Sequence, residues 1–207
     1  MVLALHGGAS RRGKMAVSPA QLSVLRMVPI ARRAARAGGG RLAVFRLLNS
    51  ARGWDTHSTP LRDASWALDQ IADRFGRRLP TCLIGHSLGG RAALLSAGAP
   101  EVRGAVALAP WVLPSDRPGG LAGRRVLIVH GSADRIASPR RSGELAAAID
   151  GEAEVTYVCI EGGKHAMLRH HALFDGLAAE FAASTLLGTP PAGPLARIDE
   201  GARFVRL

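Results

Sequence analysis

The chain contains six short, nearly continuous apolar runs, and the segments between most of them have apolar residues at helical spacing. Continuous apolar runs of this length are typical of strands that are buried on both faces of a sheet. The predicted strands are Val2–Leu5, Leu42–Leu47, Thr81–Ile84, Gly104–Leu108, Val126–Val129 and Val155–Ile160.

Helices are predicted between and after these strands. Serine followed by proline favours a helix start, as at Ser18-Pro19 and Ser138-Pro139, and glycine ends several periodic segments. The predicted helices extend from about Ser18 to Ala37, Leu61 to Phe75, Gly89 to Ala97, Pro139 to Ile149 and Leu173 to Leu187. Strands that alternate with helices predict an α/β fold: a doubly wound, mostly parallel sheet of about six strands with helices on both faces.

The chain is expected to form one domain and a tail. Its 207 residues and 47% hydrophobic content suit a single core, which we assign to residues 1–188. Residues 189–207 contain three prolines and then a charged stretch. We expect this tail to pack on the surface or to be mobile.

Charge and composition narrow the list of partners. Lys and Arg number 27 against 16 Asp and Glu, a formal net charge of +11, and such an excess can attract nucleic acid or anionic lipid. The arginines are scattered, however, and aromatic residues make up only 4% of the chain, so no base-stacking platform is expected. No apolar run has the roughly 18 residues of a membrane span. We therefore expect a protein that binds no nucleic acid and does not insert stably in membranes. The two cysteines, Cys82 and Cys159, stand in apolar runs without the spacing of a disulfide framework or a metal site, so we expect buried thiols in the reducing cytoplasm.

Residues that carry chemistry follow four of the predicted strands directly. In parallel sheets, ligands bind beyond the carboxyl ends of the strands. The first, third, fifth and sixth predicted strands are followed by the stretches HGGA, GHSLGG, HGSAD and EGGKH. One edge of the sheet therefore receives a serine between glycines (Ser87), an aspartate (Asp134), a histidine (His165) and a glycine-rich loop.

These residue types suit nucleophilic catalysis. A serine hydroxyl is a weak nucleophile until a base takes its proton, and His165 is the candidate base. Asp134 would hold the imidazole ring and stabilise its charged form. A tight turn between strand and helix would expose the Ser87 hydroxyl, and the flanking glycines permit that turn. The backbone amides of Gly8 and Leu88 are candidate donors to a developing oxyanion.

The stretches LHGG, GHSLGG, HGSAD and GGKHAML together resemble the α/β-hydrolase family, over about residues 2–187. The pattern is most similar to the small lidless serine esterases and the dienelactone-hydrolase-like proteins, although dienelactone hydrolases typically carry a cysteine where this chain has Ser87. The resemblance implies a Ser-Asp-His catalytic triad and an oxyanion hole made of the residues named above. It implies neither a metal nor an organic cofactor.

The sequence departs from the family pattern in two places. The family usually has an antiparallel pair of strands before the strand that leads to HGG, and here the chain begins at that strand. Cap domains of the family are commonly inserted after the strand that corresponds to Gly104–Leu108. Only residues 109–125, rich in proline and glycine, stand there. We therefore expect a shorter sheet and a site that is open or only partly covered.

Each candidate also has a purely structural interpretation. Ser87 could cap a helix, Asp134 could cap a turn, and His165 could be a surface histidine. Asp116 is the rival candidate for the catalytic acid.

Other residues after the strands have weaker assignments. Trp111 and Met167 are candidates to line a substrate pocket, although a core or surface role suits each of them nearly as well. His6, His86 and His130 are expected to make structural hydrogen bonds near the edge of the sheet.

The predicted function is that of a serine hydrolase. It would cleave a small-molecule carboxylic ester or thioester through an acyl-enzyme on Ser87, with His165 as base and Asp134 as the orienting acid. Acyl transfer and peptide cleavage use the same machinery and remain open, because only the pocket separates them. Outside the enzymes, the alternative is a hydrolase fold that serves only for binding.

Overall fold

The computed structural model describes residues 1–9, 16–198 and 201–207, and within these ranges the chain forms one sheet. The strands are β1 (Val2–Leu5), β2 (Val44–Leu47), β3 (Thr81–His86), β4 (Val102–Leu108), β5 (Arg125–Gly131), β6 (Glu154–Ile160) and β7 (Phe204–Arg206). Their order across the sheet is β2-β1-β3-β4-β5-β6-β7, and every neighbouring pair is parallel. The predicted parallel sheet is confirmed.

Helices cover both faces of this sheet. They are α1 (Leu22–Leu25), α2 (Met27–Ala37), α3 (Thr59–Phe75), α4 (Leu88–Leu95), α5 (Pro139–Ile149) and α6 (His171–Leu187). Buried residues of α2 and α6 pack in one core with Val2 and Ala4 of β1, whereas those of α3 and α4 pack with Leu3 and Leu5. Alternate residues of a strand point to opposite faces, so the two cores lie on opposite sides of the sheet.

The first predicted helix is divided. The sequence predicts one helix from Ser18 to Ala37, but α1 begins at Leu22 and a break at Arg26 separates it from α2. Pro29 has no amide hydrogen to donate to the carbonyl four residues earlier, and its ring clashes with that carbonyl. A continuous helix is therefore interrupted one turn before the proline.

The sheet has one strand more than the sequence predicts. Part of the predicted tail forms β7, which pairs with Tyr157–Cys159 of β6, while residues 199–200 of that tail lie outside the described residues. The Tyr157 amide donates to the Arg203 carbonyl at 2.7 Å, and the rings of Tyr157 and Phe204 lie 5.7 Å apart. A strand of three residues that includes an arginine has no continuous apolar run, so its pairing depends on the edge of β6.

The topology places an open crevice between β1 and β3. The chain passes from β1 to β2 on one side and then to β3 on the other, so the strand order reverses at this point, and such a switch point is where open α/β sheets bind ligands. Residues 109–124, between β4 and β5, contain neither helix nor strand. This segment therefore builds no helical lid, as the sequence predicts. None of the described helices has the length and apolar content of a membrane span.

Candidate active site

Ser87 occupies the sharp turn between β3 and α4. Its backbone angles are φ 57° and ψ −119°, outside the regions that residues with a side chain usually adopt. A Cβ atom on Gly85 would lie 1.9 Å from the Gly89 carbonyl oxygen, and one on Gly89 would lie 2.2 Å from the Leu5 carbonyl oxygen. The glycines of the GHSLG stretch therefore allow β3, α4 and β1 to approach closely, and the turn holds Ser87 in a strained conformation.

The three predicted triad residues form one hydrogen-bonded row. The Ser87 Oγ lies 3.0 Å from Nε2 of His165, and Nδ1 of His165 lies 2.7 Å from Oδ2 of Asp134. An ionised carboxylate only accepts hydrogen bonds, so His165 carries its proton on Nδ1 and presents an unprotonated Nε2 to the serine hydroxyl. The Ser87 side chain makes no capping hydrogen bond to α4, which removes the interpretation of this serine as a helix cap.

Asp134 is held ionised by four donors. His165 and His130 donate to Oδ2, and the amides of Ile136 and Ala137 donate to Oδ1 at 2.8 and 3.0 Å. Burial raises the pKa of this carboxyl, but the four hydrogen bonds outweigh burial and hold the pKa well below its usual range. Asp134 thus caps its own turn and faces the candidate base as well.

Two buried histidines hold the backbone around the row of Ser87, His165 and Asp134. Nε2 of His86 donates to the carbonyl of His165 at 3.0 Å, and the two rings lie 5.0 Å apart. Burial lowers the pKa of His86 to about 3, so this imidazole is neutral at ordinary pH. His6 donates from Nδ1 to the Gly7 carbonyl and accepts from the Asn49 amide at Nε2. These are the structural hydrogen bonds that the sequence predicts for His6 and His86.

The candidate oxyanion amides lie beside Ser87. Gly8 and Leu88 line the same cleft as the nucleophile. Leu88 is the first residue of α4, so its amide has no acceptor within the helix. Gly8 has φ 147°, and a Cβ atom there would lie 2.8 Å from Nε2 of Gln21. A side chain at this position would collide with Gln21, so glycine lets this loop pack against the chain that leads into α1.

Two clefts that share Ile136 are lined by triad residues, one by Ser87 and the other by His165. The first, which we call the tryptophan cleft, has a volume of about 280 Å³ and is lined by Gly8, Ala9, Trp54, Ser87, Leu88, Trp111 and Ile136. The second, the histidine cleft, has a volume of about 380 Å³ and is lined by Ala133, Arg135, Ile136, Lys164, His165 and Ala166. A larger cavity of about 700 Å³, between α2, α6 and the tail, is lined by none of the three row residues.

Two of the residues considered for the site in the sequence analysis lie outside both clefts. Trp111 lines the tryptophan cleft, but Met167 does not: its side chain is 1% exposed and packs in the core beside Gly131 and Gly163. Met167 also has φ 52°, a left-handed backbone conformation that is uncommon for a residue with a side chain. Asp116, the rival acid, pairs with Arg91 and does not reach His165.

Comparison with known proteins assigns the fold. An esterase/lipase from an uncultured bacterium superimposes with a TM-score of 0.68 at 16% identity, over 89% of this chain and 76% of that chain. The chain has the α/β-hydrolase fold. XC6422 from Xanthomonas campestris, an α/β serine hydrolase without a lid, gives a TM-score of 0.63 at 19% identity, over 91% of this chain and 83% of that chain. The predicted resemblance is thus confirmed for the fold.

A third solved structure with this fold contains a ligand. Est1E from Butyrivibrio proteoclasticus, with ferulic acid bound, gives a TM-score of 0.62 at 16% identity, over 89% of this chain and 88% of that chain. No protein-family model and no curated protein matches the sequence.

Proposed function

We propose that the chain is a serine hydrolase that cleaves small-molecule carboxylic esters or thioesters through an acyl-enzyme on Ser87. The observation that carries the proposal is the row of Ser87, His165 and Asp134, with contacts of 3.0 and 2.7 Å. Both distances are those of ordinary hydrogen bonds. The fold supports the proposal as well, because structures with this fold include an esterase/lipase and a lidless serine hydrolase.

The proposed reaction has two halves. His165 takes the Ser87 proton at Nε2 while Oγ attacks the acyl carbon, and the amides of Gly8 and Leu88 stabilise the oxyanion. The protonated His165 then gives its proton to the departing alcohol or thiol, which leaves the acyl group on Ser87. In the second half, His165 deprotonates a water molecule that attacks the acyl carbon, and it then gives this proton to Ser87 Oγ as the bond to the acyl group breaks and the acid leaves. Asp134 stays ionised and stabilises the imidazolium in both halves.

The residues that line the two clefts support a placement of the two parts of the substrate. The leaving group must lie next to the residue that protonates it, and His165 lines the histidine cleft. The candidate oxyanion donors, Gly8 and Leu88, line the tryptophan cleft. We therefore place the acyl group in the tryptophan cleft and the alcohol or thiol in the histidine cleft. Ferulic acid bound to Est1E supports a small organic acid as the product of such a site.

Labelling with a fluorophosphonate probe tests the nucleophile. We expect the probe to modify Ser87 and p-nitrophenyl acetate to give a burst of p-nitrophenol. Ser87→Ala should lose both signals, while Ser65→Ala, an exposed serine on α3, should keep them. Equal labelling of wild type and Ser87→Ala would contradict the proposal. A folded wild type that takes no label would favour a protein that only binds.

Hydrolysis is proposed ahead of acyl transfer because the described residues leave the candidate base partly exposed to water. His165 retains 14% of its side-chain exposure, and residues 109–124 build no helical lid over it. Added methanol or hydroxylamine should therefore compete with water only in proportion to concentration. Almost complete transfer of the acyl group to a dilute acceptor would favour the transferase instead.

A further inference from the structure

The tryptophan cleft is built on a buried ion pair. Arg91 stands on α4, one turn after Ser87, and its Nη2 and Nε lie 2.7 and 2.8 Å from the two carboxylate oxygens of Asp116. The side chains of Arg91 and Asp116 are only 8% and 4% exposed. Burial of two charges is costly even when they are paired, so this pair is weak evidence for stability and calls for another explanation.

The pair contacts both tryptophans of the cleft. The Arg91 guanidinium lies 3.8 Å from the ring centroid of Trp54 and 5.8 Å from that of Trp111. A planar guanidinium stacks on an indole face and donates a fixed fork of hydrogen bonds to a carboxylate at the same time. One side chain thus joins the loop that carries Trp54 to the carboxylate of Asp116.

Asp116 in turn holds the loop that carries Trp111. Its Oδ2 accepts from the Leu113 amide at 2.8 Å, which closes a short turn after the tryptophan. The Trp111 amide donates to the Ser87 carbonyl at 3.1 Å. Trp111 is therefore fixed on one side to the nucleophile and on the other to the ion pair, and the cleft keeps its shape relative to Ser87.

We propose that the tryptophan cleft selects compact acyl groups with a single aromatic ring, and that Arg91 is the positioning residue that sets this specificity. The inference rests on the proposed function. The volume of about 280 Å³ lies just below the roughly 300–1,000 Å³ of sites for drug-sized ligands, which suits a small acyl group. Indole walls favour a flat ring, because aromatic rings gain from stacked or edge-to-face contacts beyond their buried area.

The test compares three p-nitrophenyl esters that share a leaving group: acetate, benzoate and octanoate. For the wild type we expect kcat/KM for benzoate to exceed that for octanoate by about tenfold, the upper part of the range for an aromatic pair. Arg91→Lys keeps the charge but loses the planar fork and the stacking. Its KM for benzoate should rise about tenfold, and its KM for acetate, which has no ring to stack on the indoles, should rise less.

A second variant leaves the ion pair intact. Trp54→Leu removes one indole wall, so its KM for benzoate should rise. Octanoate, which has no ring to stack on the indole, should gain relative to benzoate. Arg140→Lys, an exposed arginine on α5, is the matched control and should leave all three esters unchanged. Circular dichroism checks that each variant is folded.

The outcomes separate this inference from the proposed function. Turnover of all three esters without a preference for benzoate would overturn the aromatic specificity. An equal rise in KM for acetate and benzoate in Arg91→Lys would overturn the positioning role, because a general loss of structure affects every substrate. A wild type that turns over none of the esters would overturn the proposed function and this inference with it.

Discussion

His130 and His165 donate to the same carboxylate oxygen. Nε2 of His130 lies 3.1 Å from Oδ2 of Asp134, and Nδ1 of His165 lies 2.7 Å from that oxygen. The second nitrogen of His130, Nδ1, lies 2.7 Å from the Ser142 hydroxyl, and the His130 side chain is fully buried. Asp134 is therefore oriented from behind by an imidazole that does not reach the nucleophile.

Loss of His130 should lower both the stability of the protein and the rate at which His165 acts as the base. His130→Leu leaves the Asp134 oxygen with one donor fewer and the Ser142 hydroxyl without its imidazole partner, which should lower the free energy of unfolding by about 1–3 kcal/mol. We expect kcat to fall because Asp134 is held less firmly in the orientation that accepts from His165, while KM stays close to that of the wild type. Urea denaturation and p-nitrophenyl acetate kinetics measure the two effects.

An exposed histidine supplies the control for His130. His57→Leu, in the loop before α3, should change neither the stability nor kcat appreciably. A His130→Leu protein with wild-type kcat would show that the carboxylate needs no donor behind it.

The triad candidates and most of the sheet could be predicted from the sequence because their signals are local. A buried parallel strand is a continuous apolar run, and the residue after it lies at the edge where ligands bind. This reasoning predicts where Ser87, Asp134 and His165 lie in the fold without knowledge of the strand order. The sequence analysis missed the helix break before Pro29, although its signal is local as well. A proline inside a segment of helical periodicity predicts such a break.

The supports of the site depend on distant parts of the chain. Arg91 meets Asp116 and Trp54, which stand on two different loops, and a scattered arginine in the sequence gives no sign of either contact. Met167 stands only two residues after the candidate base His165 in the sequence. Its backbone is left-handed, and its side chain lies in the core and not in the cleft. Such features follow from the packing of several elements, which apolar periodicity does not encode.

The buried His86 should make the protein less stable in mild acid. Burial lowers its pKa to about 3, whereas an unfolded histidine titrates near 6.5. Between these values the unfolded state binds a proton that the native state does not, so the free energy of unfolding falls as the pH drops, by up to about 1.4 kcal/mol per pH unit. His6, whose pKa burial also lowers, acts in the same direction.

A variant of His86 measures how much of the loss of stability in acid is due to this histidine. His86→Gln keeps an amide donor for the His165 carbonyl but does not titrate. Urea midpoints at pH 7.0, 5.5 and 4.5 should therefore fall less steeply for His86→Gln than for the wild type. Parallel curves for the two proteins would assign the acid sensitivity to other groups.

Ser87 should be replaced more favourably by glycine than by alanine. Its φ of 57° and ψ of −119° cost a residue with a side chain about 1–3 kcal/mol, and glycine adopts them freely. Part of this gain is lost because glycine is more flexible in the unfolded chain. We expect the free energy of unfolding of the Ser87→Gly variant to be about 1 kcal/mol higher than that of Ser87→Ala. Both variants should be inactive towards esters.

The same pair of changes inside a helix should have the opposite sign. Ser65 is exposed on α3, where glycine costs about 1 kcal/mol relative to alanine. Chemical denaturation of the four variants compares the two sites directly. If glycine is worse than alanine at residue 87 as well, the turn does not strain its serine.

Gly89 should tolerate no side chain, because its Cβ position is occupied by backbone. A Cβ atom there would lie 2.2 Å from the Leu5 carbonyl oxygen, and neither β1 nor α4 can withdraw without moving the loop that carries Gly8 or the turn that carries Ser87. We expect Gly89→Ala to lose at least about 1–3 kcal/mol of stability and most of its esterase activity. Gly119→Ala is the matched control, since nothing lies within 4 Å of its Cβ position. If both alanine variants kept wild-type stability and activity, the close approach of β1 and α4 would not be what holds Ser87 in place.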